Sequence, residues 1–289
     1  MNPTLPNTWP AWRAWALDDR PGDRLQTWLE TGALANFPDL GALVGVPQDP
    51  HWHPEGDVWI HTRLVCDQAA EVATRDQLSE PARLELLFAA LCHDLGKPAT
   101  TCLRNGHWSA PGHPEAGLEP TERVLNQVGA PANLTPVVRC LVAEHLAHAQ
   151  TEMSGRAIRR LLKRLRPANL DQLIRLIEAD LSGRPPLPRG LSPAVQIWAE
   201  RARAELAQGL PEDRPEVPAA IIQGRHLVSL GQAPGPWFRV VLDACHAAQL
   251  AGEFGDEAGG RRYLEAWLTQ HREKGSPPVK QDSPQTPDS

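Results

Sequence analysis

An apolar run from Leu84 to Cys92 ends abruptly in His93-Asp94-Leu95-Gly96-Lys97-Pro98. Leu and Ala dominate the run, and Ser79-Glu80-Pro81 ahead of it supply a cap and first-turn residues, so it predicts a buried helix. Gly96 and Pro98 stop that helix. An imidazole and a carboxylate thus stand side by side at the end of a buried element, where water does not satisfy them. A divalent metal ion accepts both at once. The bland alternative is a histidine favoured at the helix C-terminus beside an aspartate bound to a nearby amide. A lone His-Asp pair does not choose between the two. The choice rests on whether polar residues at the ends of other helices complete a site.

The chain of 289 residues, 41% hydrophobic and 22% charged, is ordinary for a globular protein with one large core or two small ones. Its apolar runs fall short of a membrane span, and Met1-Asn2-Pro3-Thr4-Leu5-Pro6 has neither the basic start nor the apolar segment of a signal peptide, so a cytoplasmic address and no membrane partner are expected. The five cysteines form no Cys-x-x-Cys pair and are expected to be reduced. A net charge of -6 disfavours bulk attraction to long nucleic acid and suits a small or terminal phosphate substrate. Ten Trp against one Tyr is an unusual balance, for which core packing is the simple explanation.

Residues 9 to 45 carry Trp and Leu at helical spacing, broken by Pro21-Gly22 and Gly32, which predicts short helices packing as a lid on the main domain. A Pro- and Gly-rich loop from Gly45 to Val58 leads into a core helix with His61 in its first turn. After His93-Asp94, Asn105-Gly106 predicts one small hairpin. Gly112-His113 opens the next helix, running to about Val128, with Pro120 as a kink or late start. His107 and His113 are both candidates in this stretch. A helix after Asn133 places His145 on its apolar face, with His148 at its end ranked lower. The helix Arg156 to Arg166 has a basic row, Arg156, Arg160 and Arg164, that fits phosphate contacts and an ordinary solvated face equally well. Asn169 caps a helix whose buried face carries Asp180. Arg184, four residues on, follows on that face if the helix continues. Residues 184–190 form a Pro-rich connector, further helices follow, and the stretch from Gly275 is expected to be disordered. The division expected is 1–44 N-terminal helical segment, 45–190 main domain, 191–274 C-terminal helical tail packed on it, and 275–289 disordered tail.

His61, His93, Asp94 and Asp180 make a mixed N/O set suited to Mn, Fe, Co, Ni or Zn, with Mg in contention. No phosphate-binding Gly-x-x-x-x-Gly-Lys-Ser/Thr loop, His-Glu-x-x-His, Gly-x-Ser-x-Gly or dinucleotide fingerprint occurs in the sequence.

This pattern resembles the HD-domain metal-dependent phosphohydrolases, an all-helical superfamily. Gly45-Val46-Pro47-Gln48, Trp52-His53-Pro54-Glu55, Ile60-His61-Thr62, Leu91 to Lys97, Gly112-His113, Leu141 to His145 and Ala179 to Arg184 together resemble the HD domain at the C-terminal end of bacterial multifunctional CCA proteins, which are tRNA nucleotidyltransferases with an added phosphohydrolase domain. Ile221 to Arg225, with Leu230-Gly231 and Pro234-Gly235-Pro236, resembles the helical tail of that family. The likeness covers roughly residues 40 to 255. The nucleotidyltransferase head needs an Asp-x-Asp pair, and the sequence has none, so CCA addition is not expected.

The resemblance implies an all-α HD bundle with a C-terminal helical extension. It implies 2',3'-cyclic phosphodiesterase, 2'-nucleotidase and phosphatase activity on nucleotides or RNA ends, with tRNA a candidate partner. His61, His93, Asp94 and Asp180 take the metal-ligand positions for one divalent ion, with room for a second. Lys97, His113, His145 and Arg184 take the catalytic positions, and Lys97, Arg184 and His113 also bind substrate. His113 and His145 bind phosphate, protonate the leaving oxygen or hold the second metal, three roles the sequence leaves open. His53 and Glu55 line the mouth of the site or form a turn. The rival classes are an HD 5'-nucleotidase or nucleotide triphosphohydrolase, and a non-catalytic tRNA-binding module.

Overall fold

The structure, a computed structural model, describes residues 8–149, 152–209 and 220–272. The chain divides into two compact units, residues 1–210 and residues 211–289. The stretch from Gly275, expected to be disordered, lies outside the described residues. Among the described residues the fold is all-helical apart from one two-stranded hairpin. None of its described helices is long and apolar enough to cross a membrane.

In the first unit the elements run α1 (Trp9–Ala16), α2 (Pro21–Glu30), α3 (Pro38–Gly41), α4 (Val58–Arg75), α5 (Glu80–Cys92), α6 (Lys97–Thr100), β1 (Cys102–Arg104), β2 (His107–Ser109), α7 (His113–Ala116), α8 (Leu118–Gln127), α9 (Leu134–Glu144), α10 (Gly155–Arg164), α11 (Leu170–Ser182) and α12 (Pro193–Ala207). The core is a bundle of α4, α5, α9 and α11, in which α5 touches all three of the others. Helix α5 earns that place by composition, since every residue from Leu86 to Cys92 is buried. The N-terminal helices share this core. Trp12 meets Trp15, Trp28 and Phe37 edge-on at ring separations of 5.3, 4.9 and 5.3 Å, and Trp9 stacks on Phe88 of α5 at 5.5 Å. Much of the Trp excess is therefore packing, as aromatic rings bury the most area per residue.

Local chemistry fixes the ends that matter for the site. Asp57 caps α4 by accepting from Ile60 N at 2.8 Å, and its other oxygen accepts from Gly45 N at 2.7 Å, which ties both ends of the 45–57 loop together. Asn169 and Gln172 form a reciprocal capping box at the start of α11. Asn105 and Gly106 both adopt positive φ, and the hairpin pairs Leu103 with Trp108 and Arg104 with His107. The stretch expected as one helix from His113 to Val128 is two helices, because the break falls at Gly117; Pro120 sits in the first turn of α8 and is a late start, not a kink.

Two glycines let helices meet at the site. A Cβ on Gly96 would lie 2.1 Å from the His113 carbonyl oxygen, and one on Gly183 would lie 2.5 Å from Val65 Cγ2. Gly96 thereby draws α7 onto the turn after α5, and Gly183 draws the end of α11 onto α4.

The second unit is described by α13 (Gly224–Ser229), α14 (Trp237–Leu250) and α15 (Glu257–Arg272). It has its own small core of Ile222, Leu227, Val241, Cys245, Ala248, Phe254 and Leu264.

Candidate metal centre

Six buried polar residues from five helices meet at one end of the bundle. His61 comes from the first turn of α4, His93 and Asp94 directly follow α5, His113 opens α7, His145 follows the last residue of α9, and Asp180 lies in the last turn of α11. Helix ends are where a polar side chain escapes the apolar bundle without breaking it, so the convergence of ends makes the site.

The imidazoles are oriented alike. His93 Nδ1 donates to the Ala90 carbonyl at 2.8 Å, His113 Nδ1 to the Ala110 carbonyl at 2.8 Å, and His145 Nδ1 to the Val142 carbonyl at 2.7 Å. His61 Nδ1 lies 2.8 Å from Glu55 Oε1. A carbonyl or carboxylate only accepts, so each Nδ1 carries the hydrogen and each Nε2 turns inward. His93 Nε2 lies 3.3 Å from His61 Nε2, and His113 Nε2 lies 3.1 Å from His145 Nε2. In the neutral tautomer these are lone pairs aimed at one another, an arrangement that a shared cation relieves. A ring nitrogen fixed by a carbonyl or carboxylate behind it is the usual support of a metal-binding histidine.

Asp94 is the hub. Its Oδ2 lies 3.2 Å from His93 Nε2 and 3.8 Å from His61 Nε2, while Oδ1 lies 3.3 Å from His113 Nε2. Both oxygens are buried, and neither accepts a hydrogen bond of good geometry. Asp180 Oδ1 lies 3.2 Å from His61 Nε2. Two groups that could hold a metal ion, His61-His93-Asp94 and Asp94-His113-His145, therefore share Asp94. The donor set fits a divalent metal, since buried carboxylates and inward imidazole nitrogens lack other partners of the right kind.

The electrostatics agree with a cation-binding pocket. Burial alone would raise the Asp94 carboxyl, but the charge of His93 and Lys97 holds it well below its ordinary value. Burial opposes ionisation of Asp180 too, and His61 and Arg184 overcome it. Desolvation, helped by His93 and His113, pushes His145 down to about 3, so it is neutral and ready to ligate. Lys97 Nζ lies 2.7 Å from Asp94 Oδ2 and donates to Gln48 Oε1 at 2.7 Å, linking the hub to the 45–57 loop.

A cleft of ≈ 260 Å³ opens onto these donors, with Lys97, Arg184, His53 and His148 in its wall. Helix α11 ends at Ser182, so Arg184 does not follow Asp180 along a continuing helix as the spacing suggests. It still lines the cleft beside Asp180, from the connector, with its Nε buried and without a hydrogen-bond partner. His107 stands away from the donors: it is exposed and paired with Asp49 Oδ2 at 2.9 Å. Glu55 is more than a loop residue. Burial raises its carboxyl, but hydrogen bonds from His53 and His61 outweigh this and hold it at about 2. Gln48, part of the Gly45 to Gln48 motif, and His148, the lower-ranked candidate at the end of the His145 helix, also reach the site. The basic helix is partly neutralised, because Arg164 grips Glu144 through two hydrogen bonds of 2.6 and 2.9 Å.

The family model for the HD domain matches residues 58–181. This chain carries an HD domain. HD domains bind divalent metals and imply metal-dependent phosphohydrolase activity, and the five-helix junction described above lies within or beside the matched span. The chain is similar to the multifunctional CCA protein of Xylella fastidiosa strain M23, at 37% identity over 153 residues covering 51% of this chain and 35% of the relative. It is similar to that of Laribacter hongkongensis at 36%, covering 58% of this chain and 40% of the relative. A third, from Halorhodospira halophila, is 32% identical and covers 76% of this chain and 53% of the relative. The chain thus spans between about a third and a half of the curated relatives it matches.

Proposed function

We propose that the HD domain hydrolyses phosphate esters of nucleotides or RNA ends, acting as a 2',3'-cyclic phosphodiesterase with 2'-nucleotidase and phosphatase activity. The observation that carries this reading is the hub: inward Nε2 atoms of four histidines around Asp94, with Lys97 and Arg184 in the same cleft wall. The likeness to CCA proteins supports an RNA-related substrate.

His61, His93, Asp94 and Asp180 would hold one divalent ion. His113 and His145, together with Asp94, would hold a second, a role that the facing Nε2 atoms favour over phosphate binding or proton donation. When bound, such ions supply Lewis acidity and lower the pKa of water. The chain's residues do the rest. Glu55 and the backbone carbonyls keep the imidazoles facing inward. Lys97 supplies a point charge for a phosphoryl oxygen, and Arg184 a fork of donors with its Nε still free to bond. His148 Nδ1 donates to the His145 carbonyl at 3.1 Å, so its Nε2 presents a lone pair to the cleft and is available to take a proton from the attacking water as a general base.

Metal analysis of the purified chain, coupled to a panel of 2',3'-cAMP, 2'-AMP, 5'-dAMP and dATP, tests this. Release of phosphate or ring opening on the first two, lost with chelator and restored by a transition metal, is the expected result. Preference for dATP or 5'-dAMP would replace the reading with a triphosphohydrolase or 5'-nucleotidase, and salt-dependent tRNA binding without turnover would replace it with a binding module.

A further inference from the structure

The mouth of the metal cleft has a chemistry the donors do not account for. Trp52, Trp108 and Leu146 line it, and they are 61%, 37% and 38% exposed. Large apolar side chains left facing water around a functional pocket mark a surface that something apolar covers. Trp52 belongs to the 45–57 loop and Trp108 to β2, so the two indoles reach the cleft from different segments.

Those segments are fastened to each other. Asp49 Oδ2 accepts from His107 Nδ1 at 2.9 Å, joining a residue three positions before Trp52 to the immediate neighbour of Trp108. The loop is closed at its base by Asp57 and Gly45, and Trp108 is paired across the hairpin with Leu103. The rings therefore sit on anchored supports.

We propose that Trp52 and Trp108 form a stacking platform for the nucleobase of the substrate, which makes base-bearing phosphate esters, not sugar phosphates or inorganic polyphosphates, the substrate class. This rests on the phosphohydrolase reading and deepens it. An occupant of the whole cleft has to present an anionic phosphate to Lys97 and Arg184 at the floor and a flat apolar face to the indoles at the rim. A nucleotide does both. Base–aromatic stacking tolerates every base, because each has a π-face. Binding is accordingly expected to vary little among the four bases. Asp49 and His107 are positioning residues for the platform.

Calorimetry on the full-length, metal-loaded chain separates the two ends of the cleft, with 2'-AMP and inorganic phosphate as probes. Trp52→Ala and Trp108→Ala should each weaken 2'-AMP roughly 10-fold, the loss expected when one stacking partner goes, and leave phosphate within about twofold. Trp→Phe should recover part of the loss. His107→Ala should raise KM for 2',3'-cAMP with kcat kept. Both indoles are exposed, so thermal midpoints should stay near wild type. Unchanged 2'-AMP affinity in both Ala variants, with phosphate still bound, would overturn the platform and leave the phosphohydrolase reading standing. A wild-type chain that binds neither probe would overturn both.

Discussion

His113 Nε2 and His145 Nε2 face one another at 3.1 Å, each with its Nδ1 already committed to a backbone carbonyl. Nothing in hydrogen bonding between two neutral rings so arranged makes that approach favourable. The expected outcome is therefore metal dependent. Elemental analysis should find close to two equivalents in the wild type, one in His145→Ala, and near none in Asp94→Ala, since Asp94 belongs to both donor groups. Helical circular dichroism should be retained in all three. Full metal content in Asp94→Ala would dismiss the shared hub.

Glu55 stands behind His61 and is expected to act on metal binding through it. It lies within 2.9 Å of both His53 Nδ1 and His61 Nδ1. Glu55→Gln keeps the size and removes the charge, so metal affinity should fall on the order of 10- to 100-fold, the range for partners that orient a ligating histidine. A competition titration against a chromophoric chelator reads this directly; an unchanged constant would make Glu55 a turn residue only.

Arg184 is expected to act on substrate. A guanidinium does not ligate a cation but clamps a phosphate in two places. Arg184→Ala should keep its metal and lose turnover by about 10² or more, as for removal of one charge-stabilising donor, and Arg184→Lys should recover only part. Loss of metal in Arg184→Ala would contradict this assignment.

Acidity should act on the metal-free chain from both sides. His145, pressed down to about 3 by burial, His93 and His113, stays neutral in the fold while the unfolded chain takes up a proton below about 6.5. Stability on that account falls as pH drops from 6.5 toward 3. His53 and His148, also lowered mainly by burial, add in the same direction. His61 has the opposite sign: burial lowers it, but Asp180 and Glu55 raise it further, so its contribution is full below 6.5 and is lost as pH rises through its folded value. Thermal midpoints in chelator should peak near pH 6.5, and His145→Gln should flatten the acid limb. An acid limb equally steep in that variant would remove His145 from the account.

His93 and Asp94 were legible as a polar pair ending an apolar run, and His61, His145 and Asp180 as polar residues at the ends of helices with apolar faces. The all-helical class and the Asn105-Gly106 hairpin were legible for similarly local reasons. What stayed hidden depends on contacts between distant segments. Glu55 and Gln48 lie in a loop whose shape is set by Asp57 bridging to Gly45, and Pro/Gly composition says nothing of such a bridge. Trp52 and Trp108 line one cleft from segments joined by the bond between Asp49 and His107, which are 58 residues apart in sequence. Arg184 lines the cleft, but the helical spacing that pointed to it does not apply, since it reaches the cleft after the helix has ended.

Gly96 and Gly183 bring α7 against the turn after α5 and α11 against α4, at separations no larger side chain would permit. Spacing between the donors is thus imposed by backbone meeting backbone, with no cation required to pull the helices in. A chain stripped of metal should keep its helix ends where they are while the facing imidazoles ease apart, and reloading should need only side-chain adjustment in a preformed socket, without a refolding step.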